Sequence, residues 1–390
     1  MKEFKKDLNN ARELKQSGKF KQALELYEKL YNQNPEEFNH AQKVDYAWTI
    51  IKVKMLNSKD RNEFLNAAEF ITEMLPQSDL NSRRSCPYTS AVFKVLIVYR
   101  NSDDYIGMIP WLEKLDPVLL DEKPYRSHGR IQKPRKEKYY DWASKAYLED
   151  YDFEKCIEVS ETALDTLKSF QDDGDTWLRW RIGKSLKELN RLGEALDYFM
   201  QVIEVKHEWY MYREIAEIYY MCGRPYDALD YLCPAVLSRE SAKTKVNLYL
   251  LCYRVFKKFN QEMALKHAQL YCIIQSENGY SIPFEIEKLD INPDELERGQ
   301  LEREIRELWT QYRFKDRKLE HGVVIKFLHD KRFGFIRSED GEEIFFHKKE
   351  FNGENVYVGQ KVSFFTEESF DKSKNKKSLK AVNVRGESGV

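Results

Sequence analysis

Six rings fall within 21 residues late in the chain: Phe327, Phe333, Phe335, Phe345, Phe346 and His347. Lys326, Lys331, Arg332, Lys348 and Lys349 lie among and beside them. This mixture suits one kind of chemistry. Rings left outside a fold offer stacking faces to unpaired bases, and amines next to them meet phosphates. Which rings stay outside depends on the strands that carry them. Period-2 alternation runs from His321 to Val384, with turn residues between the runs. Val323, Ile325 and Phe327 share one side of a first predicted strand. Phe333, Phe335 and Arg337 share a side of the second, with Ile336 opposite. Ile344 and Phe346 share a side of the third, while Phe345 and His347 take the other. Val362 and Phe364 lie in a fourth strand and residues 379–384 in a fifth. Five short strands in about 65 residues suit a small closed barrel. Its narrow interior cannot take every ring, and Phe346, between two outward positions, is assigned to the core. Gly334, between two rings on a strand, points to close approach by a partner.

Two further groups of cations accompany these rings. The segment FDKSKNKK reads as a loop between the last two strands, where Lys372, Lys374, Lys376 and Lys377 flank the predicted face. Residues 121–138, DEKPYRSHGRIQKPRKEK, carry seven Lys or Arg against three Asp or Glu. Arg126, Arg130, Lys133, Arg135 and Lys136 there form a candidate secondary phosphate-binding patch. The competing reading of that stretch is a solvated loop between helical hairpins.

The motifs KRFGFI (residues 331–336), IFFH (residues 344–347) and AVNV (residues 381–384) resemble those of cold-shock domains, five-stranded OB-type barrels that bind single-stranded RNA or DNA. The resemblance implies that bases stack on Phe333, Phe335, Phe345 and His347, with Phe327 on the first strand and Lys331 at the edge. It also shows three departures. Lys326 stands where the family usually has tryptophan, Arg332 where it has glycine, and Lys348 where it has an aromatic residue. Amines therefore replace two stacking platforms, and binding is expected to lean on phosphate contacts and to fall steeply with salt.

Stepping N-terminally, the elements become helical. Ala11, Leu14, Gly18, Phe20, Ala23, Tyr27 and Pro35 follow a pattern that resembles a tetratricopeptide repeat. Ala11 and Ala23 permit close helix approach and Gly18 makes the turn. Small residues recur at the same place in later units, at 156, 195, 228 and 264, separated by 39, 33 and 36 residues. Residues 41–118 are helical in pattern but more degenerate, and include a predicted helix from Tyr105 to Leu115. A helix is predicted over 293–313, started by Asn292 and Pro293, with a stripe of Leu301, Ile305, Leu308 and Tyr312. The expected organisation is multidomain: a tetratricopeptide-like superhelix over 1–284, a capping or connecting helix over 285–318, and a barrel over 319–386. Whether the helix masks the barrel stays open.

The chain has 390 residues and a formal charge of −1, so any nucleic-acid site must be a local patch. Its six cysteines form no CxxC pair and are expected to be free, buried thiols in a reducing, cytoplasmic setting. An apolar leader and any run of 18 apolar residues are missing, which argues against secretion and membrane spanning. Phosphate-binding loops, HExxH and GxSxG are absent too, so neither catalysis, metal nor cofactor is expected. Arg179, Arg181, Lys184 and Lys187 lie on a first helix, where Arg179, Lys184 and Lys187 would suit an acidic peptide tail or a phosphate backbone, the competing reading being a solvated helix face. The resulting expectation is a single-stranded RNA or DNA binding adaptor whose repeats dock a protein partner. The alternative is a non-enzymatic scaffold whose barrel binds no nucleic acid.

Overall fold

The computed structural model describes residues 2–56, 60–78, 86–127, 129–353, 355–371 and 376–387. The chain divides into two compact units, Met1–Gly223 and Arg224–Val390.

The first unit is an array of helical hairpins. It opens with α1 (Lys2–Gln16) and α2 (Phe20–Gln33). Gly18 makes their turn with φ of +77°, a left-handed conformation that costs glycine little. Ala11 and Ala23 are fully buried, as close approach of the two helices requires. Next come α3 (His40–Ile50), capped by a reciprocal Asn39–Gln42 box and prolonged by a π turn, then α4 (Arg61–Met74) and α5 (Pro87–Asn101). The helix expected from Tyr105 to Leu115 is broken. A 3-10 turn at Ile106–Met108 leads into the single turn α6 (Ile109–Leu112). The Asp104 carboxylate accepts from the Gly107 N–H at 2.8 Å, and Pro110 has no N–H to give.

The stretch at 121–138 is only partly loop. Strands β1 (Tyr125–Ser127) and β2 (Arg130–Gln132) form an antiparallel hairpin. Its last cations already belong to α7 (Arg135–Glu149). The unit continues with α8 (Phe153–Thr166), α9 (Gly174–Glu188), α10 (Leu192–Val205) and α11 (Trp209–Met221). At the α9–α10 contact a Cβ on Gly183 would lie 2.6 Å from the buried Phe199 ring. The glycine is therefore a packing residue, as the alanines are in the first hairpin.

The second unit holds α12 (Pro225–Leu237), α13 (Val246–Phe256), α14 (Gln261–Glu277), the single turn α15 (Phe284–Glu287) and α16 (Arg298–Phe314). The last helix starts later than expected. Asn292 caps a 3-10 turn at Pro293–Glu295, and Leu296 and Glu297 are extended before the helix begins. Its buried face is Leu301, Ile305 and Trp309, at i, i+4 and i+8. The Trp309 Nε1–H donates to His267 Nε2 at 2.9 Å. His267 Nδ1 lies 2.6 Å from the Met263 carbonyl, so its ring donates there and stays neutral. Burial holds this histidine down at about 4 against its hydrogen bond to that carbonyl.

Residues 320–386 form the barrel. Its strands are β3 (Glu320–Leu328), β4 (Phe333–Ser338), β5 (Glu343–His347), the two-residue β6 (Phe351–Asn352), β7 (Lys361–Asp371) and β8 (Lys376–Gly386). The order β5-β4-β3-β7-β8 closes through parallel pairing of β8 with β5. Val324, Ile336, Phe346, Val362, Phe364, Ala381 and Val384 fill the interior. The fold class is thus an all-α, tetratricopeptide-like array of hairpins followed by a small OB-type barrel.

Candidate nucleic-acid interface

Register decides the composition of the outer face. Phe333 pairs with His347, Phe335 with Phe345, and Arg337 with Glu343. Alternation along β4 and β5 then buries Gly334, Ile336, Ile344 and Phe346 and turns the paired residues outward. Three rings meet there. Phe333 lies 6.0 Å from Phe335 and 5.4 Å from Phe345, and Phe335 lies 5.9 Å from Phe345. Phe345 is 36% exposed while its neighbour Phe346 is 0% exposed. His347 is half-buried at the end of the same row, and the Lys349 N–H donates to its Nδ1 at 3.3 Å.

The first strand departs from simple alternation. A bulge between Val324 and Lys326 inserts Ile325 and shifts the phase. Lys326 therefore sits opposite Phe335 on the outer face, and Phe327 sits opposite Gly334 on the inner one. Phe327 stacks on Phe346 at 5.9 Å and packs against the barrel core. It is separated from the three-ring cluster with which it was grouped. Gly334 has the same explanation. A Cβ there would lie 2.5 Å from the Lys326 carbonyl oxygen and 2.7 Å from Phe346, so the close approach is made by the barrel's own core.

The cations divide as well. Lys326, Lys331 and Arg332 are exposed. Arg332 adopts φ of +53°, which accounts for the glycine usual at this turn in the resembled motif. Lys348 is turned away. Its Nζ donates to the Gly353 carbonyl at 2.9 Å and lies over the Phe351 ring at 5.0 Å. Lys380 was not foreseen. Parallel pairing sets it beside Phe345, where it also meets Glu367 at 3.4 Å. Its only local sign was its place one residue before the AVNV strand. Lys372 and Lys374 lie outside the described residues. Lys376 opens β8, with its side chain outside the described set, and Lys377 is exposed.

The secondary basic patch does not converge. Lys136 is 8% exposed and meets Glu122 at 2.6 Å. Lys133 pairs with Glu137 at 3.7 Å. Arg135 reaches the Ser90 hydroxyl at 3.4 Å and covers the Phe93 ring at 5.5 Å. Arg126 is exposed on β1, and the Arg130 side chain lies outside the described set. The α9 cations are committed too. Lys184 and Lys187 meet Glu214 at 3.1 and 2.6 Å, Arg179 meets Asp175 at 2.6 Å, and Arg181 meets Asp141 at 2.9 Å. Arg213 closes on Glu214 at 2.6 Å. Burial alone would raise the Glu214 carboxyl, but Lys184, Lys187 and Arg213 outweigh it and hold it at about 2.

The long helix leaves the aromatic cluster uncovered. The Phe314 ring stacks on Phe365 of β7 at 4.3 Å, nearly parallel. Arg313 pairs with Glu367 at 2.6 Å, and Arg317 donates to the Thr366 carbonyl at 3.1 Å. These anchors are on β7, which pairs with β3 and β8, whereas the cluster is on β4 and β5. Among the described residues, no group of three or more His, Cys, Asp or Glu is placed to hold a metal ion. None of the described helices is long and apolar enough to cross a membrane. Five cysteines are buried and Cys222 is exposed, all of them free.

Comparison with known proteins gives separate family models for the barrel and for part of the helical region. Residues 320–387 match the family model of the 'Cold-shock' DNA-binding domain. Residues 176–313 match a second model, a domain of unknown function (DUF7017). Curated proteins give no match. Solved structures similar to this chain include pilF of Pseudomonas aeruginosa, at 13% identity and TM-score 0.39, covering 64% of this chain and 98% of that one. RapI in its apo form aligns at 14% identity and TM-score 0.42, covering 80% and 88%. A Rap protein complexed with competence and sporulation factor aligns at 16% identity and TM-score 0.35, covering 81% and 93%. The barrel therefore resembles a cold-shock domain in sequence motif and family-model match.

Proposed function

We propose that this chain is an adaptor that binds single-stranded RNA or DNA through the outer face of β4 and β5. Bases stack on Phe333, Phe335, Phe345 and His347, and phosphates meet Lys326, Lys331 and Arg332. Lys348 and Phe327 support the barrel instead. The observation that carries this reading is the outward cluster of three phenylalanines, with one ring open to solvent and lysines in the next positions. A fold protecting only its own core would turn such rings inward. The match of residues 320–387 to a nucleic-acid-binding family model supports the same reading. The helical hairpins serve to dock a protein, as stacked hairpins commonly do. Because the α9 cations are held by Glu214, Asp175 and Asp141, recognition of that partner falls on other side chains. The reading contains no reaction step.

The test is a fluorescence titration of a labelled single strand with the full chain. Phe335→Ala with His347→Ala should weaken binding at least about tenfold, since each lost stack is worth about 1–3 kcal/mol. Unchanged affinity in a folded double variant refutes the face and leaves the scaffold reading.

A further inference from the structure

α16 has two faces. Leu301, Ile305 and Trp309 are buried, and Arg303, Arg306, Thr310 and Arg313 recur at i, i+3, i+7 and i+10 on another side. The second face borders a cleft of about 340 Å³ whose opposite wall is the barrel. Lys349, Asn352, Asn383 and Arg385 line that wall. The cleft thus gathers Arg303, Arg306, Arg313, Lys349 and Arg385 against two acids, Glu307 and Glu350. That excess of three positive charges is a concentration in a chain whose formal charge is −1. Arg313 is held by Glu367, and Lys349 lies 3.8 Å from Glu350. Arg306 and Arg385, from different elements, form no ion pair among the described residues.

Arg303 lies 4.0 Å from Glu297, so among the described residues Arg306 and Arg385 are the cleft cations left without an acid, and like charges brought together repel one another. They suit a polyanion. The nearest route for one is already in place. Lys349 follows His347, the last ring of the outer face, by two residues, a chain distance of at most about 7 Å.

We propose that this cleft holds the sugar-phosphate backbone of the same single strand after it leaves the aromatic face. The assignment rests on the function proposed above. It makes α16 part of the binding surface as well as a cap on α12 and α14. The barrel face then selects unpaired bases and the cleft sets the length of strand engaged, by charge alone and without base preference.

The experiment uses the full chain and labelled pyrimidine strands of about 6 and about 15 nucleotides, within the range of site sizes seen for OB folds. Arg306→Glu with Arg385→Glu should weaken the longer strand at least about tenfold and leave the shorter one unchanged. Arg306→Gln with Arg385→Gln serves if charge reversal unfolds the chain. Losing two phosphate contacts should reduce the slope of log affinity against log salt by about 1.4. Equal effects on both strands, or none on the longer, overturn the proposal. If Phe335→Ala with His347→Ala still weakens the shorter strand in that case, the face survives and the cleft alone is refuted. A polyglutamate peptide that binds the cleft more tightly than the longer strand also overturns it, in favour of an acidic protein. If the wild-type chain binds neither strand at low salt, both readings fall.

Discussion

Phe345 and Phe346 are adjacent in β5 and face opposite ways, so one truncation should have two different consequences. Phe346 is fully buried, stacks on Phe327 and fills the space that Gly334 leaves. Phe346→Ala opens a cavity in a core with little room to collapse, and should cost about 3–5 kcal/mol, most of the stability of so small a barrel. Phe345 is 36% exposed and, among the described residues, meets only Phe333 and Phe335 at ring distance, at 5.4 and 5.9 Å. Losing two such ring pairs should cost about 1–3 kcal/mol of stability. Its loss as a stacking platform should weaken strand binding by about 1–3 kcal/mol, or roughly five- to 150-fold. Hydrogen exchange resolved over residues 320–387 measures the first quantity, and fluorescence titration of a single strand measures the second. Phe345→Ala should lower affinity with amide protection in the barrel largely kept. Phe346→Ala should lose protection throughout those residues. The reasoning is refuted if both variants lose protection equally, which would place Phe345 in the core, or if Phe345→Ala binds as the wild type does.

Glu214→Gln should destabilise the first unit by about 3–5 kcal/mol at neutral pH, because it leaves three partly buried cations without the buried carboxylate they share. The lower end is expected, since Lys187 keeps Glu217 at 2.5 Å. A folded-state value near 2 against 4.5 means that this stabilisation is complete above pH 4.5 and is lost as pH falls toward 2. Urea unfolding across that window should show the acid loss in the wild type and its absence in the variant; equal slopes would disprove the account. Arg332→Gly should raise thermal stability by about 0.5–1 kcal/mol, the relief of a left-handed residue less the greater entropy of unfolded glycine. The same variant should reduce the salt slope of strand binding by about 0.7, the share of one phosphate contact. A less stable variant would mean that the turn is unstrained as it stands.

The barrel and the hairpin array were legible because both are written in short-range periodicity. Alternation over five or six residues assigned Phe346 to the interior and Phe345 to the surface without knowledge of a partner strand. Ala11, Gly18 and Ala23 marked a hairpin because close helix packing and a left-handed turn each demand particular small residues. The small residues expected at 195 and 228 mark later units for the same reason, and Ala195 and Ala228 are fully buried. The missing pieces depend on what lies across from a residue. One inserted residue at Ile325 exchanges the sides of Lys326 and Phe327, and nothing local announces a bulge. Gly334 looked like space for a ligand because the rings filling it come from β3 and β5. Lys136, Lys184 and Lys187 looked free because their acids are supplied by another turn or helix, whereas Lys133 pairs with Glu137 only four residues along.

The amino-acid sequence by itself determined the two kinds of element and the outward row of Phe333, Phe335 and Phe345, since period, side-chain type and turn residues are properties of neighbours along the chain. The tertiary structure alone decided which cations are paired with acids, which ring joins the core, where α16 rests and how its arginines come to line one cleft with Arg385. Charge pairing and cleft formation depend on distances between segments far apart in sequence, and those distances exist only once the strands have chosen their register.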